Sequence, residues 1–164
     1  YPTEAVFGLG CDPHDEKAVQ RIIDIKGREA HKGFILIASS QEQLASFIKP
    51  VSLAQQAQLD THWPGPVTFV VPVNNTWENT LLTGYRKTLA VRVSSHTVVV
   101  QLCDHYGGAI VSTSANRSGE EALREFSQVS EQLGPSLDCV VEGTVGELAQ
   151  PTQIYDLASG ERLR

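Results

Sequence analysis

The sequence predicts an α/β layer fold built around one mixed parallel and antiparallel sheet. Two observations lead there. Short apolar runs recur, GFILIAS (33–39), VTFVVPV (67–73), TLAVRVS (88–94) and AIVSTSA (109–115), and the segments between most of them carry apolar residues at helical spacing. Strands that alternate with helices pack in layers, and 164 residues are enough for a single domain with one substantial core.

Each element follows from local signals. The opening YPTEAVFGLG is interrupted by Pro2, Gly8 and Gly10, which in an apolar run mark backbone that comes close to a neighbour or a ligand. In DPHDEKAVQRIIDIKG, apolar Ala18, Val19, Ile22, Ile23 and Ile25, early acids and a closing Gly27 predict a helix of about three turns. GFILIAS reads as a strand buried on both faces, and SQEQLASFIK, with Ser40 and Gln43 in capping-box register, as a helix. A second capping box, Ser52 with Gln55, opens a helix reaching about Thr61, and WPGP turns the chain into the strand VTFVVPV. TLAVRVS is a strand, HTVVVQLCDHYGG a helix stopped by two glycines, and AIVSTSA a strand running into the polar loop NRSGEE. A helix FSQVSEQLG, a strand LDCVVEG (137–143) and a hairpin QIYDLASGERLR follow.

Composition removes several functional classes. A net charge of −6 opposes general polyanion binding, which depends on neutralising many phosphates at once. No run approaches the ~18 apolar residues of a membrane helix and no signal-peptide pattern occurs, so the expected setting is cytoplasmic, away from membranes. Cys11, Cys103 and Cys139 form no CxxC pair and read as buried small hydrophobes. The five histidines lack metal-ligand spacing, so no protein-built metal site is expected. The chain has no initiating Met and is expected to be truncated at its front.

Three constellations could carry chemistry. Lys26 falls in a last helical turn, where a cation is favourable by ~0.3–1 kcal/mol. That is the ordinary role of such a residue, but with Arg28 and Lys32 it makes three cations within seven residues, a plausible clamp for a compact polyanion such as a triphosphate. As such a clamp, Lys26 and Arg28 are each expected on truncation to leave stability within about 1 kcal/mol, because a lone surface cation contributes little to folding. Ser112, Thr113, Ser114, Asn116 and Gly119, at the end of a buried strand, are turn-capping groups or donors to a ligand. Arg92 lies mid-strand, and if it faces inward it needs an anion or acceptor. Gly8 and Gly10 begin a dinucleotide fingerprint that Pro13 breaks, and neither GxxxxGK[ST] nor GxSxG occurs.

Read together, YPTEAVFGLG, KGR, WPGPVTFV, LAVRVSSH and STSANRSG, in this order and over nearly the whole chain, resemble the YrdC/TsaC family of threonylcarbamoyl-AMP synthases. Ala5 and Phe7 stand where the family usually has Thr and Tyr, Glu29 and Gly33 where it has prolines, and Ser94 and Thr97 replace prolines around His96. The variants look like the short bacterial branch. The resemblance implies a single YrdC-like domain over residues 1–164, a twisted open sheet with a concave ligand cleft, and a helix and strand missing ahead of Tyr1. It implies that L-threonine and bicarbonate form a carbamate that attacks the α-phosphorus of ATP, with Mg2+ carried by the nucleotide. The product would go to proteins that transfer the threonylcarbamoyl group to tRNA. Lys26, Arg28, Ser114 and Asn116 match the family's catalytic tetrad and would hold the nucleotide, joined by Thr68, Ser112 and Thr113; Thr3, Lys32, Arg92 and His96 would meet threonine. A rival reading is a double-stranded RNA or ribosome-binding module of the same fold.

Overall fold

The computed structural model describes residues 1–164. In chain order the elements are β1 (Gly8–Leu9), α1 (Glu16–Lys26), β2 (Ile35–Ala38), α2 (Leu53–His62), β3 (Val67–Pro72), β4 (Thr88–Val93), α3 (Thr97–Tyr106), β5 (Ile110–Ser114), α4 (Phe126–Gln132) and β6 (Gln153–Asp156). The strands form one six-stranded sheet in the order β1-β5-β2-β4-β3-β6. Pairs β2–β4 and β3–β6 are parallel and the other three antiparallel, so the sheet is mixed as expected.

Strand alternation sends residues of opposite parity to opposite faces and so decides where the cavity lies. Leu36, Phe69, Val71, Leu89, Val91 and Val111 enter the main core beside Val19, Ile22 and Ile23 of α1. The opposite face carries Ile37, Ala90, Arg92 and Ser112. At one end it is covered by α3, whose Val99 and Cys103 pack on Ile37, and at the other it is left to the cavity.

Local signals set the helix ends. Asp15 accepts hydrogen bonds from the backbone N–H of Lys17 and Ala18 to start α1, and Gly27 ends it in the left-handed region at φ 59°. Ser52 and Gln55 form a reciprocal capping box on α2.

Two expected elements are absent. SQEQLASFIK holds one 3-10 turn, Glu42–Leu44, in place of a helix. Its Gln43 side chain is taken by the Ser39 N–H, and the following residues are drawn out to bridge β3: Ile48 pairs with Val73, and the Lys49 N–H reaches the Pro72 carbonyl. LDCVVEG forms no strand. Leu137 and Val140 pack on the core, but the adjacent sheet edge is the two-residue β1, too short to template a ladder. Cys103 is buried as expected, Cys11 is half-buried and Cys139 is exposed. No helix is long and apolar enough to cross a membrane.

Candidate active site

A cavity of about 590 Å³ opens on the uncovered sheet face, with Ile35, Val70, Ala90 and Ile154 on its apolar lining. That volume suits a small-molecule ligand. Its walls come from distant parts of the chain: the opening stretch from Thr3 to Gly8, the segment from Arg28 to Phe34, the end of β5 with Asn116, and the C-terminal hairpin. The glycines of the opening run meet Tyr1, since a Cβ on Gly8 would lie 3.1 Å from the Tyr1 ring and one on Gly10 2.7 Å from it. The close approach read from the sequence is therefore to a neighbour within the chain.

Arg28, Lys32, Arg86, Arg92 and Arg164 all line this cavity, although the protein as a whole has a net charge of −6. Arg28 donates to Thr113 Oγ1 at 3.0 Å and to the Gly33 carbonyl at 2.8 Å, and its guanidinium lies 4.9 Å from the centre of the Phe34 ring. Burial moves its pKa down from the usual arginine value. Held on two sides, the fork is pre-organised for a phosphate or carboxylate.

Lys26 occupies a different position from the one its sequence neighbours suggest. Its side chain is buried, with the residue 5% exposed, and is not part of the cavity wall. The ammonium donates to the Ser114 carbonyl, to the Asn116 carbonyl at 2.8 Å and to Asn116 Oδ1 at 3.2 Å, while the Lys26 carbonyl accepts from the Ser118 N–H at 2.7 Å. The same Asn116 Oδ1 accepts from Ser114 Oγ at 2.6 Å, and the Asn116 amide donates to the carbonyls of Arg117 and Glu120. Lys26 is thus a strut for the Ser114–Asn116 turn. A buried ammonium with three acceptors is no surface cation, which corrects the expectation that its loss leaves stability nearly unchanged.

Burial, followed by the nearby Arg28 charge, lowers the Lys26 pKa from 10.5 to about 8. The unfolded chain then binds more protons than the folded one between about pH 8 and 10.5, so this group favours folding increasingly as pH rises through that window. Urea midpoints of the wild type and Lys26→Met, measured from pH 7 to 10, should show the wild type gaining on the variant above pH 8. A gap that shrinks with pH would mean that the three oxygen acceptors hold the proton above its ordinary value.

The deep end of the site is a polar network around Arg92, which is 4% exposed. It donates to Thr152 Oγ1 at 2.6 Å and lies 3.3 Å from Glu4 Oε2; Glu4 Oε1 accepts from Ser94 Oγ at 2.6 Å. Three buried polar atoms of this region make no hydrogen bond: Glu4 Oε2, Arg92 Nε and Thr68 Oγ1. With Phe69 opposite Val91, the next step of register sets Thr68 opposite Arg92 on the same face. Thr3 Oγ1 donates to the Val6 carbonyl at 2.7 Å, fixing the bend after Pro2.

Thr3, Arg28, Lys32, Arg92, Ser112, Thr113, Ser114 and Asn116 are therefore brought to one cavity, whereas Lys26, Thr68 and His96 do not line it. His96 caps the start of α3 and its Nε2 meets the Thr144 carbonyl at 3.2 Å. Arg86, Thr152 and Arg164 also face the cavity, and sequence reading passes over all three. None stands in a recognisable motif, and the packing of β6 beside β3 is what brings the last two there.

A family profile, Sua5/YciO/YrdC, described as telomere recombination, matches residues 1–164. The chain belongs to this family. Relatives named threonylcarbamoyl-AMP synthase include one from Idiomarina loihiensis, 45% identical over all of this chain and 89% of the relative, and one from Yersinia enterocolitica, 47% identical over all of this chain and 86% of the relative. Among solved structures, P. abyssi Sua5 complexed with L-threonine matches with a TM-score of 0.90 and 31% identity, over 98% of this chain and 47% of that one. The two chains thus share one fold over nearly the whole of this one.

Proposed function

We propose that this chain is a threonylcarbamoyl-AMP synthase, a nucleotidyltransferase acting on ATP, L-threonine and bicarbonate. The observation that carries the reading is one cavity with two chemically distinct ends: a cationic wall built on Arg28, and a buried polar pocket around Arg92, Thr152 and Thr3. The relatives' shared name and the threonine-bound P. abyssi structure support it. Cations gathered in a concave site favour a small substrate over an extended RNA backbone, which calls for a basic surface.

Threonine would place its carboxylate and hydroxyl against the Arg92 and Thr152 end of the cavity, where Arg92 Nε is buried without a hydrogen-bond partner. Its amine condenses with bicarbonate, forming an N–C bond and releasing water. The carbamate oxygen then attacks the α-phosphorus of ATP, which enters as its magnesium complex, and pyrophosphate leaves. Arg28 would offset charge on the reacting phosphate, while Ser112, Thr113, Ser114 and Asn116, on the turn that Lys26 holds, orient the nucleotide. Such a transfer needs positioning and charge neutralisation more than a nucleophilic side chain. The product would then serve enzymes that modify tRNA.

Pyrophosphate release from labelled ATP should require both threonine and bicarbonate. Valine should be used at least ~100-fold less well than threonine, because it leaves buried polar groups unpaired, and serine only ~10- to 200-fold less well. Rapid ATP hydrolysis with neither co-substrate present, or equal use of valine, would overturn the reading.

A further inference from the structure

The cations of the cavity differ in depth and in how far they are already neutralised. Arg92 is buried and paired with Glu4; Arg28 is half-buried and hydrogen-bonded on two sides; Lys32 and Arg86 are exposed. Lys32 has only a loose contact with Glu29, at 3.5 Å between two exposed side chains, and Arg86 has no carboxylate within 4 Å. Arg86 instead donates to the His31 carbonyl at 2.8 Å, on the loop that bears Lys32.

Backbone packing holds these two loops together. Gly33 has φ 62° and Gly84 φ 64°, conformations that suit glycine. A Cβ on Gly84 would lie 2.4 Å from the His31 oxygen and 2.6 Å from the Gly33 nitrogen, and one on Gly33 would lie 2.9 Å from the Thr83 carbonyl. Only two bare backbones can approach this closely. The Phe34 N–H adds a hydrogen bond to the Leu82 carbonyl at 3.0 Å. The contact ties together the two loops that carry Lys32 and Arg86, both of which line the cavity.

We propose that Lys32 and Arg86 form an outer phosphate subsite that holds the β- and γ-phosphates of the nucleotide and then the departing pyrophosphate. This rests on the synthase reading and deepens it. A leaving pyrophosphate carries several negative charges, and the deeper cations are already engaged within the protein. A pair of exposed cations on rigidly joined loops meets that charge at the open side of the cavity, where the product can dissociate. The assignment also moves Lys32 from the threonine end, where the family resemblance put it, to the phosphate end.

The test is calorimetry of the whole chain with inorganic pyrophosphate, ATP and AMP. Arg86→Ala should lose at least ~10-fold in affinity for pyrophosphate and ATP while AMP affinity changes by less than ~2-fold, and Arg86→Lys should recover part of the loss. Gly84→Ala keeps both cations but forces the loops apart, so it should weaken pyrophosphate binding in the same direction. Unchanged pyrophosphate affinity in Arg86→Ala would overturn the subsite, as would an equal loss for AMP, the mark of a merely structural residue. Pyrophosphate binding that depends on Arg86, in a wild type that makes no pyrophosphate from ATP and threonine, would sustain the subsite and overturn the synthase reading instead.

Discussion

Arg92→Ala is expected to destabilise the fold by about 3–5 kcal/mol, because it leaves the Glu4 carboxylate buried without its counter-charge. The Glu4 side chain is 10% exposed and that of Arg92 5%, so little water reaches the pair. Denaturant unfolding measures this directly. The double variant Glu4→Leu/Arg92→Met should recover much of the lost stability, since replacing a buried pair by apolar groups is often neutral, yet it should bind threonine no better than the single variant. A single Arg92→Ala protein within about 1 kcal/mol of wild type would show that the pair is not sealed from water.

Arg28→Ala should remove about 2–5 kcal/mol of transition-state stabilisation, a fall of roughly thirty-fold to several-thousand-fold in kcat/KM for pyrophosphate release. Arg28→Lys should rescue little. The guanidinium bridges Thr113 and Gly33 and lies against Phe34, a planar arrangement that an ammonium on a flexible stem cannot reproduce. Wild-type turnover in Arg28→Lys would reduce the residue to a point charge, and wild-type turnover in Arg28→Ala would remove it from the site.

Much of this was legible in the sequence because the signals were local. The Asp15 and Ser52 caps, Gly27 and the apolar runs each fix an element within a few residues. Other features depend on what the chain meets later. Gln43 stands in capping register, but its side chain is taken by Ser39 and the segment is claimed by an edge of β3. Lys26 and Arg28 are two residues apart and look equivalent, yet Gly27 turns the chain so that one side chain goes beneath the β5 turn and the other into the cavity. Arg86 and Arg164 carry no local pattern, since their neighbours at the site lie far away in sequence.

β6 lies on one wall of a cavity whose other wall holds Thr3. The cavity is therefore a contact of very high sequence separation, one that local structure alone cannot form. A chain without residues 151–164 could pack Ile22, Leu36 and Val91 into a core but would lack Thr152 and Arg164. Such a chain would be compact yet unable to enclose a ligand.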